Sequence, residues 1–360
     1  MTICFFGNYI KDYPRVQVLR KGLRQNGAKV LECHTRNSGI RKYLDLYRQH
    51  KKVKNQYDIL LVCMGGYMLT WFAKLLTKKP VIFDFFVSLY LTNVEDRKIF
   101  SRGSLKAKYY AFLDKFSCRF ADKVLLDTQA QIDYVVGRYN LDPKKFIRVF
   151  VGSDDEVFFP AKIVGKDLGK FIVHWHGHIV PFHGLETVIK AAQKLKDNEA
   201  VEFQVVTRFN GKFQKIKNLT EHLGLTNIKF YPEVDYQSLA KMINQADICL
   251  GIFGDNEKAR VVIPNKIYEA IACGKPVITA RHAVLQELFV DGENIIMAKP
   301  ADPDDLAKKI LELKDNPALR NKLAENTRAL FEDKLTPKII GRQLLGQALE
   351  LSTANHIDTF

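Results

Sequence analysis

The 360-residue sequence predicts an α/β protein built from two doubly wound parallel sheets in tandem. Three observations predict it. Apolar runs of strand length alternate with helix-period stretches along nearly the whole chain, and those runs are apolar on both faces. The length also exceeds what one ordinary core fills. Strands that are hydrophobic all round belong in parallel sheets covered by helices on both sides.

In the first half, strands are expected at residues 3–6, 29–33, 59–63, 81–83, 124–126 and 147–150. Helix-period stretches at 16–25, 42–52, 69–76 and 105–118 separate them. The second half repeats the alternation, with strands at 171–175, 203–206, 228–231, 248–251, 277–279 and 295–297. Periodicity lapses and glycines appear over residues 159–169, which divides the chain into domains 1–160 and 161–335. Residues 336–360 carry Ile339, Ile340, Leu344, Leu345, Leu349 and Leu351, a helical stripe that needs a partner surface.

Composition, at 47% hydrophobic and 26% charged, is that of an ordinary globular protein. No run of about 18 apolar residues suggests a membrane-spanning helix. The chain opens on a strand-like run without a basic or apolar leader, so no signal peptide is expected. Cys4, Cys33, Cys63, Cys118, Cys249 and Cys273 form no CxxC pair, and most sit in apolar runs. They read as small core residues in a reduced, cytoplasmic setting, with neither a disulfide framework nor a metal site.

Charge is unevenly distributed. Residues 1–160 hold 28 Lys and Arg against 15 Asp and Glu, whereas the remainder holds 27 against 25. A basic surface attracts nucleic acid, anionic membrane or phosphorylated substrate. Within residues 36–54, the cations Arg41, Lys42, Arg48, Lys51 and Lys52 interleave with Ile40, Tyr43, Leu44, Leu46 and Tyr47. That is a pattern that lies on anionic membrane surfaces, and equally one of a solvated helix face.

In open α/β sheets, ligands sit beyond the carboxyl ends of the strands, where strand order reverses. The loops there are the places to seek function. After the first strand come Gly7, Asn8 and Tyr9, with Arg15 close behind as either a contact to an anionic acceptor or an ordinary surface arginine. Asp84 ends the fourth strand among Phe83, Phe85 and Phe86, as a candidate catalytic acid or an Asx-type cap. In the second half, His174 to His178 and then Pro181 to Gly184 follow the first strand.

The most informative stretch is VVIPNKIYEAIACGKPVITA, residues 261–280. Pro264 suits a helix start, Gly274 a left-handed helix end, and Pro276 blocks continuation. Free N–H groups at Asn265 and Lys266, with the Lys266 charge, make an anion site. Glu269, one turn further in, can accept from the two hydroxyls of a ribose. Phosphate at a helix start with a diol-gripping acid behind it describes a nucleoside diphosphate site.

The string from Pro264 to Ile278 resembles the nucleotide-binding segment of retaining GT-B glycosyltransferases, glycosyltransferase family 4. The likeness continues at Glu287 to Asn294, Ala301 to Ala307, Ala246 to Gly254 and Gly152 to Asp155, in the order the family has them. It implies two Rossmann-like domains facing an interdomain cleft and a nucleotide-sugar donor on the second. It also implies transfer with retention to a glycan or lipid-linked acceptor, no cofactor or metal, and a last helix that crosses back onto the first domain. Glu269 would hold the ribose. The family's other acid falls at Val261 here, leaving Asp255 and Glu257 as nearby acids. Its diphosphate clamp falls at Gly177-His178 and His183-Gly184, so Arg208, Lys258, Arg260 and Lys266 are the cations left to share that work.

The expected function is sugar transfer in polysaccharide or glycolipid biosynthesis, with the basic first half peripheral at the inner face of the cytoplasmic membrane. A sugar-nucleotide epimerase would need acids and histidines placed for elimination, and no such set assembles. A nucleic-acid-binding protein would need a recognisable module or an aromatic stacking platform, and neither is found.

Overall fold

The computed structural model describes residues 1–162 and 169–357. Contacts divide the chain into two compact units, residues 1–152 with 335–360, and residues 153–334. The join expected at 159–169 falls partly on residues 163–168, outside the described residues.

The first unit alternates strands and helices: β1 (Thr2–Gly7), α1 (Pro14–Gln25), β2 (Lys29–His34), α2 (Gly39–Val53), β3 (Ile59–Val62) and α3 (Leu69–Leu76). It continues with β4 (Val81–Asp84), α4 (Leu105–Phe120), β5 (Lys123–Leu126), α5 (Gln129–Tyr139) and β6 (Phe146–Arg148). All six strands pair in parallel in the order β2-β1-β3-β4-β5-β6, with Phe6 opposite both Cys33 and Val62. The reversal of order therefore lies between β1 and β3. Strands β3 and β4 are buried at every position, as expected of a sheet covered on both faces.

The second unit has β7 (Phe171–His176), α6 (Leu185–Lys194), β8 (Val201–Val206), α7 (Gly211–His222), β9 (Ile228–Tyr231) and α8 (Tyr236–Gln245). Then come β10 (Ile248–Leu250), α9 (Asn265–Ala272), β11 (Val277–Ala280), β12 (Ile296–Ala298), α10 (Pro303–Asp315) and α11 (Pro317–Lys334). Its strands are again all parallel, in the order β12-β11-β10-β7-β8-β9. Counted from the unit's first strand, this is the strand order of dinucleotide-binding sheets, with the reversal between β7 and β10. Trp175, Phe203, Ile248 and Ile278 fill the core beneath it.

The final helix, α12 (Pro337–Ile357), packs on α1 within the first unit. Its buried side is Pro337, Ile340, Gly341, Leu344 and Ala348, while Leu349 faces solvent. Ile340 and Leu344 of the expected stripe are buried in this seam, and the small residues Gly341 and Ala348 complete it. Gly22 and Gly341 meet there backbone to backbone: a Cβ on Gly341 would come within 2.5 Å of the Gly22 Cα. Asn26 Nδ2 donates to Lys338 O at 2.8 Å beside this contact. Among the described residues no helix is long and apolar enough to cross a membrane.

Candidate functional site

Helix α9 starts as its sequence predicts. Pro264 is the extended N-cap residue, no side chain caps it, and Gly274 beyond the C-terminus has φ +65°. The helix follows β10 and is buried from Lys266 to Ala272. Its first turn lies by the carboxyl end of β7, at the strand-order reversal: Lys266 Nζ stands 3.9 Å from the Trp175 ring centroid.

Lys266 is 4% exposed and its Nζ has no hydrogen-bond partner. Burial pushes its pKa well below the usual lysine range, with Glu269 opposing. A buried ammonium without a partner is costly, because desolvation penalises the charge and nothing returns the lost hydrogen bonds. An arriving anion would satisfy it. The neighbouring Gly177 has φ +136°, and a Cβ there would stand 3.1 Å from Lys266 Nζ and 3.2 Å from His183 Cε1. Glycine is what allows the ammonium and the imidazole to close over this turn.

Glu269, also buried, receives His176 Nε2 on Oε2 at 2.7 Å. The contact is part of a row. His176 Nδ1 lies 3.0 Å from His174 Nε2, and His174 Nδ1 lies 2.7 Å from Gln204 Oε1. Burial, with His176 beside it, pushes His174 down to about 3, so that ring is neutral. The expectation of a loop beginning at His174 is corrected here: β7 runs to His176. Alternation along the strand then places His174 and His176 on one face and Trp175 on the other. The sequence signal for the row was the spacing His-Trp-His within a strand.

The remaining residues expected at the site separate into two groups. Gly184 (φ +64°) caps α6 where the loop 181–184 runs against Phe253 and Gly254; a Cβ on it would lie 2.5 Å from Gly254 N. His183 is buried, and its Nδ1 meets His178 O at 2.7 Å. Burial and the adjacent Lys266 hold its pKa well below the ordinary histidine value. His183 thus spends its Nδ1–H on a backbone carbonyl, and His178 is exposed. Arg208 binds Glu233 at 2.8 Å on the surface. Arg260 binds Asp255 at 2.9 Å and Glu257 at 3.4 Å, so those two acids are engaged with a cation. Lys258 Nζ lies over the Phe182 ring at 4.8 Å. Val261 is buried and apolar.

In the first unit, the open Arg15 and Asp84 expected at the strand ends are a closed pair. Arg15 Nε donates to Asp84 Oδ1 at 2.7 Å and Nη1 to Val149 O at 2.9 Å, with both side chains almost wholly buried. Burial pushes the Asp84 carboxyl up and the guanidinium pulls against it. Two charges taken out of water hold together only as partners, which is why neither side chain projects into a loop. Tyr9 is buried too, with its hydroxyl 3.3 Å from Glu32 Oε2. Gly7 (φ +145°) ends β1, and Asn8 beside it is exposed.

Comparison with known proteins agrees with this geometry. Residues 159–330 match the family model Glycosyl transferases group 1. An uncharacterized glycosyltransferase of Methanocaldococcus jannaschii is 26% identical over 227 residues, 62% of this chain and 58% of that protein. The chain thus spans little more than half the length of the curated relatives it matches. Sucrose-phosphate synthase from Thermosynechococcus elongatus superposes with a TM-score of 0.78 at 15% identity, covering 98% of this chain and 99% of that one. Anabaena HepE in complex with UDP superposes with a TM-score of 0.72 at 17% identity, covering 97% and 100%. The fold is that of the GT-B glycosyltransferase structures it superposes on, and residues 159–330 are similar to the glycosyl transferases group 1 domain.

Proposed function

We propose that the protein is a glycosyltransferase that moves a sugar from a nucleotide-sugar donor to a glycan or lipid-linked acceptor, with retention of configuration, in polysaccharide or glycolipid biosynthesis. The observation that carries this reading is the pair on α9: a buried Lys266 in the first turn whose Nζ has no hydrogen-bond partner, and a buried Glu269 carboxylate one turn behind. Lys266 and the uncapped helix start would hold the diphosphate, while Glu269 accepts from the ribose. As the sugar departs, negative charge grows on the diphosphate, and a fixed cation with helix N–H groups stabilises it in a site from which water is excluded. That stabilisation, with orientation of the two substrates, is what the chemistry asks of the protein. The leaving phosphate oxygen would itself take the acceptor's proton, so no protein base is invoked.

The test is a melting-temperature screen of nucleotide sugars against the whole chain. A ligand at about 100 times its Kd stabilises by roughly 2.7 kcal/mol. One or a few related donors should raise the melting temperature and release nucleoside diphosphate when acceptor is added. No stabilisation by any nucleotide sugar would defeat the reading.

A membrane-borne acceptor is favoured by one further feature of the first unit. Helices α2, α3 and α4 adjoin in that order, and two of them turn apolar residues outward. Helix α4 exposes Leu105, Tyr109, Phe112 and Phe120, with Phe116 half-buried among them. Lys106, Lys108, Lys115 and Arg119 flank the row, and the helix's single acid, Asp114, is buried on the opposite side. Helix α2 adds exposed Ile40, Leu44 and Tyr47 beside Arg41, Arg48, Lys51 and Lys52. Aromatic residues ringed by cations suit the headgroup zone of an anionic bilayer.

A further inference from the structure

The row Gln204–His174–His176–Glu269 contains three hydrogen bonds, and each needs one proton between its two atoms. With the Gln204 oxygen facing His174, the proton of that bond sits on His174 Nδ1. A neutral His174 then offers only a lone pair at Nε2, so His176 must donate from Nδ1. A neutral His176 would in turn present a lone pair from Nε2 to a carboxylate oxygen 2.7 Å away, which is repulsive. One more proton is required at this last contact.

We infer that His176 is protonated on both ring nitrogens and is the positioning residue for Glu269, gripping Oε2 from behind so that Oε1 remains free for a ribose diol. This rests on the reading of Glu269 as the ribose acceptor. Gln204 and His174 enforce the arrangement by fixing which nitrogen of each ring bears hydrogen. The side chain is otherwise idle in the transfer chemistry, yet without it a buried carboxylate would rotate or take up a proton, and a protonated carboxyl no longer accepts from two hydroxyls. The pair is internally neutral, which also explains how a carboxylate is kept beside a lysine whose own charge burial opposes. Titratable groups facing the contact are His174 on β7, Lys266 in the first turn of α9 and Cys273 just beyond its end, with His183 facing Lys266 from the turn before α6.

Two measurements on the whole chain test this. The first is nitrogen NMR of the histidine-labelled protein, with the two rings assigned through His174→Gln and His176→Gln. Both nitrogens of His176 should be protonated at pH 7, while His174 should carry hydrogen on Nδ1 alone. A single protonated nitrogen on His176, as a reversed Gln204 amide would produce, overturns the inference.

The second compares binding of UDP with 2′-deoxyuridine diphosphate. The wild type should prefer the ribonucleotide by about tenfold, the scale of one charge-assisted hydrogen bond. His176→Phe should shrink that preference to about twofold or less, whereas a merely structural loss would weaken both ligands alike. His176→Gln, which keeps an N–H donor at this position, should retain the preference. If the wild type shows no preference and Glu269→Gln changes nothing, the ribose reading itself fails. If Glu269→Gln abolishes the preference while His176→Phe leaves it whole, only the positioning role falls.

Discussion

His176 Nε2 and Glu269 Oε2 lie 2.7 Å apart, tying the end of the second sheet's first strand to the helix that follows its fourth. The two residues are 93 positions apart in the chain, yet the strand order places β7 next to β10 and so brings them together. Glu269→Ala removes the carboxylate while leaving the α9 backbone intact. We expect nucleoside diphosphate binding to weaken by about 1.5–3 kcal/mol, the range for hydrogen bonds to a charged group. Calorimetric titration of the folded variant checks it, and unchanged affinity would remove Glu269 from the site.

Lys266 makes binding pH-dependent with a definite sign. Its pKa is low in the free protein because burial disfavours the charge, and a bound diphosphate would raise it. The bound state then holds more protons than the free state over the interval between the two values. Affinity for UDP should therefore fall as pH rises through that interval and be level outside it. Measurements above about pH 7.5 avoid the nucleotide's own phosphate titration near 6. Lys266→Met should bind more weakly and without this slope; a wild-type profile as flat as the variant's would contradict the assignment.

The outward rows of α2 and α4 predict two separable contributions to vesicle binding. Replacing Tyr109, Phe112 and Phe120 with Ser should lower affinity for vesicles rich in anionic lipid and for neutral ones alike. Replacing Arg41, Lys42, Arg48, Lys51 and Lys52 with Gln should weaken only the anionic case, by about 1 kcal/mol for each cation at the surface. Sedimentation with vesicles reads both. A wild-type chain that ignores vesicles and instead dimerises through Phe112 would overturn the membrane reading.

Asp114 gives a stability signature. Burial pushes its carboxyl up to about 6, although Ser88, Tyr139 and two backbone N–H groups donate to it. The folded-state pKa lies above the unfolded one near 3.9, so the folded protein binds the proton more tightly. This group's contribution is therefore most favourable below pH 4 and is lost as pH rises through 6, an effect on the order of 3 kcal/mol. Asp114→Asn should flatten that part of the stability profile, as read by denaturant unfolding between pH 4 and 7. An unaltered slope would mean the carboxyl ionises normally.

Gly341→Leu tests the α1–α12 seam. No side chain fits where Gly341 meets the Gly22 carbonyl, so the helices must separate. A cost at or above the roughly 1–3 kcal/mol of overpacking is expected, with release of α12 seen as new hydrogen exchange in residues 337–353. Unchanged protection would show that α12 does not depend on the Gly22–Gly341 contact.

Local sequence determined what local physics can specify. The strands came from apolar runs because a strand buried on both faces needs them, and all twelve lie where such runs predicted. The start and stop of α9 were legible because Pro264, Gly274 and Pro276 act on their own backbone. The placing of Lys266 in the first turn of that helix and Glu269 one turn on was legible for the same reason. Tertiary structure decided what depends on pairing across the chain. Arg15 and Asp84 read as open charges until the fold set them 2.7 Å apart across 69 residues of sequence. His183 stands where the family has its diphosphate clamp, but only the fold shows its ring buried with Nδ1 committed to the His178 carbonyl. The row on α4 was visible at helical spacing, but such a row ordinarily signals core; only the burial of Ala107, Leu113, Asp114 and Ser117 on the other side turns it outward. A side chain's periodicity is a property of its own segment, whereas its charge state and its exposure belong to whatever the fold brings against it.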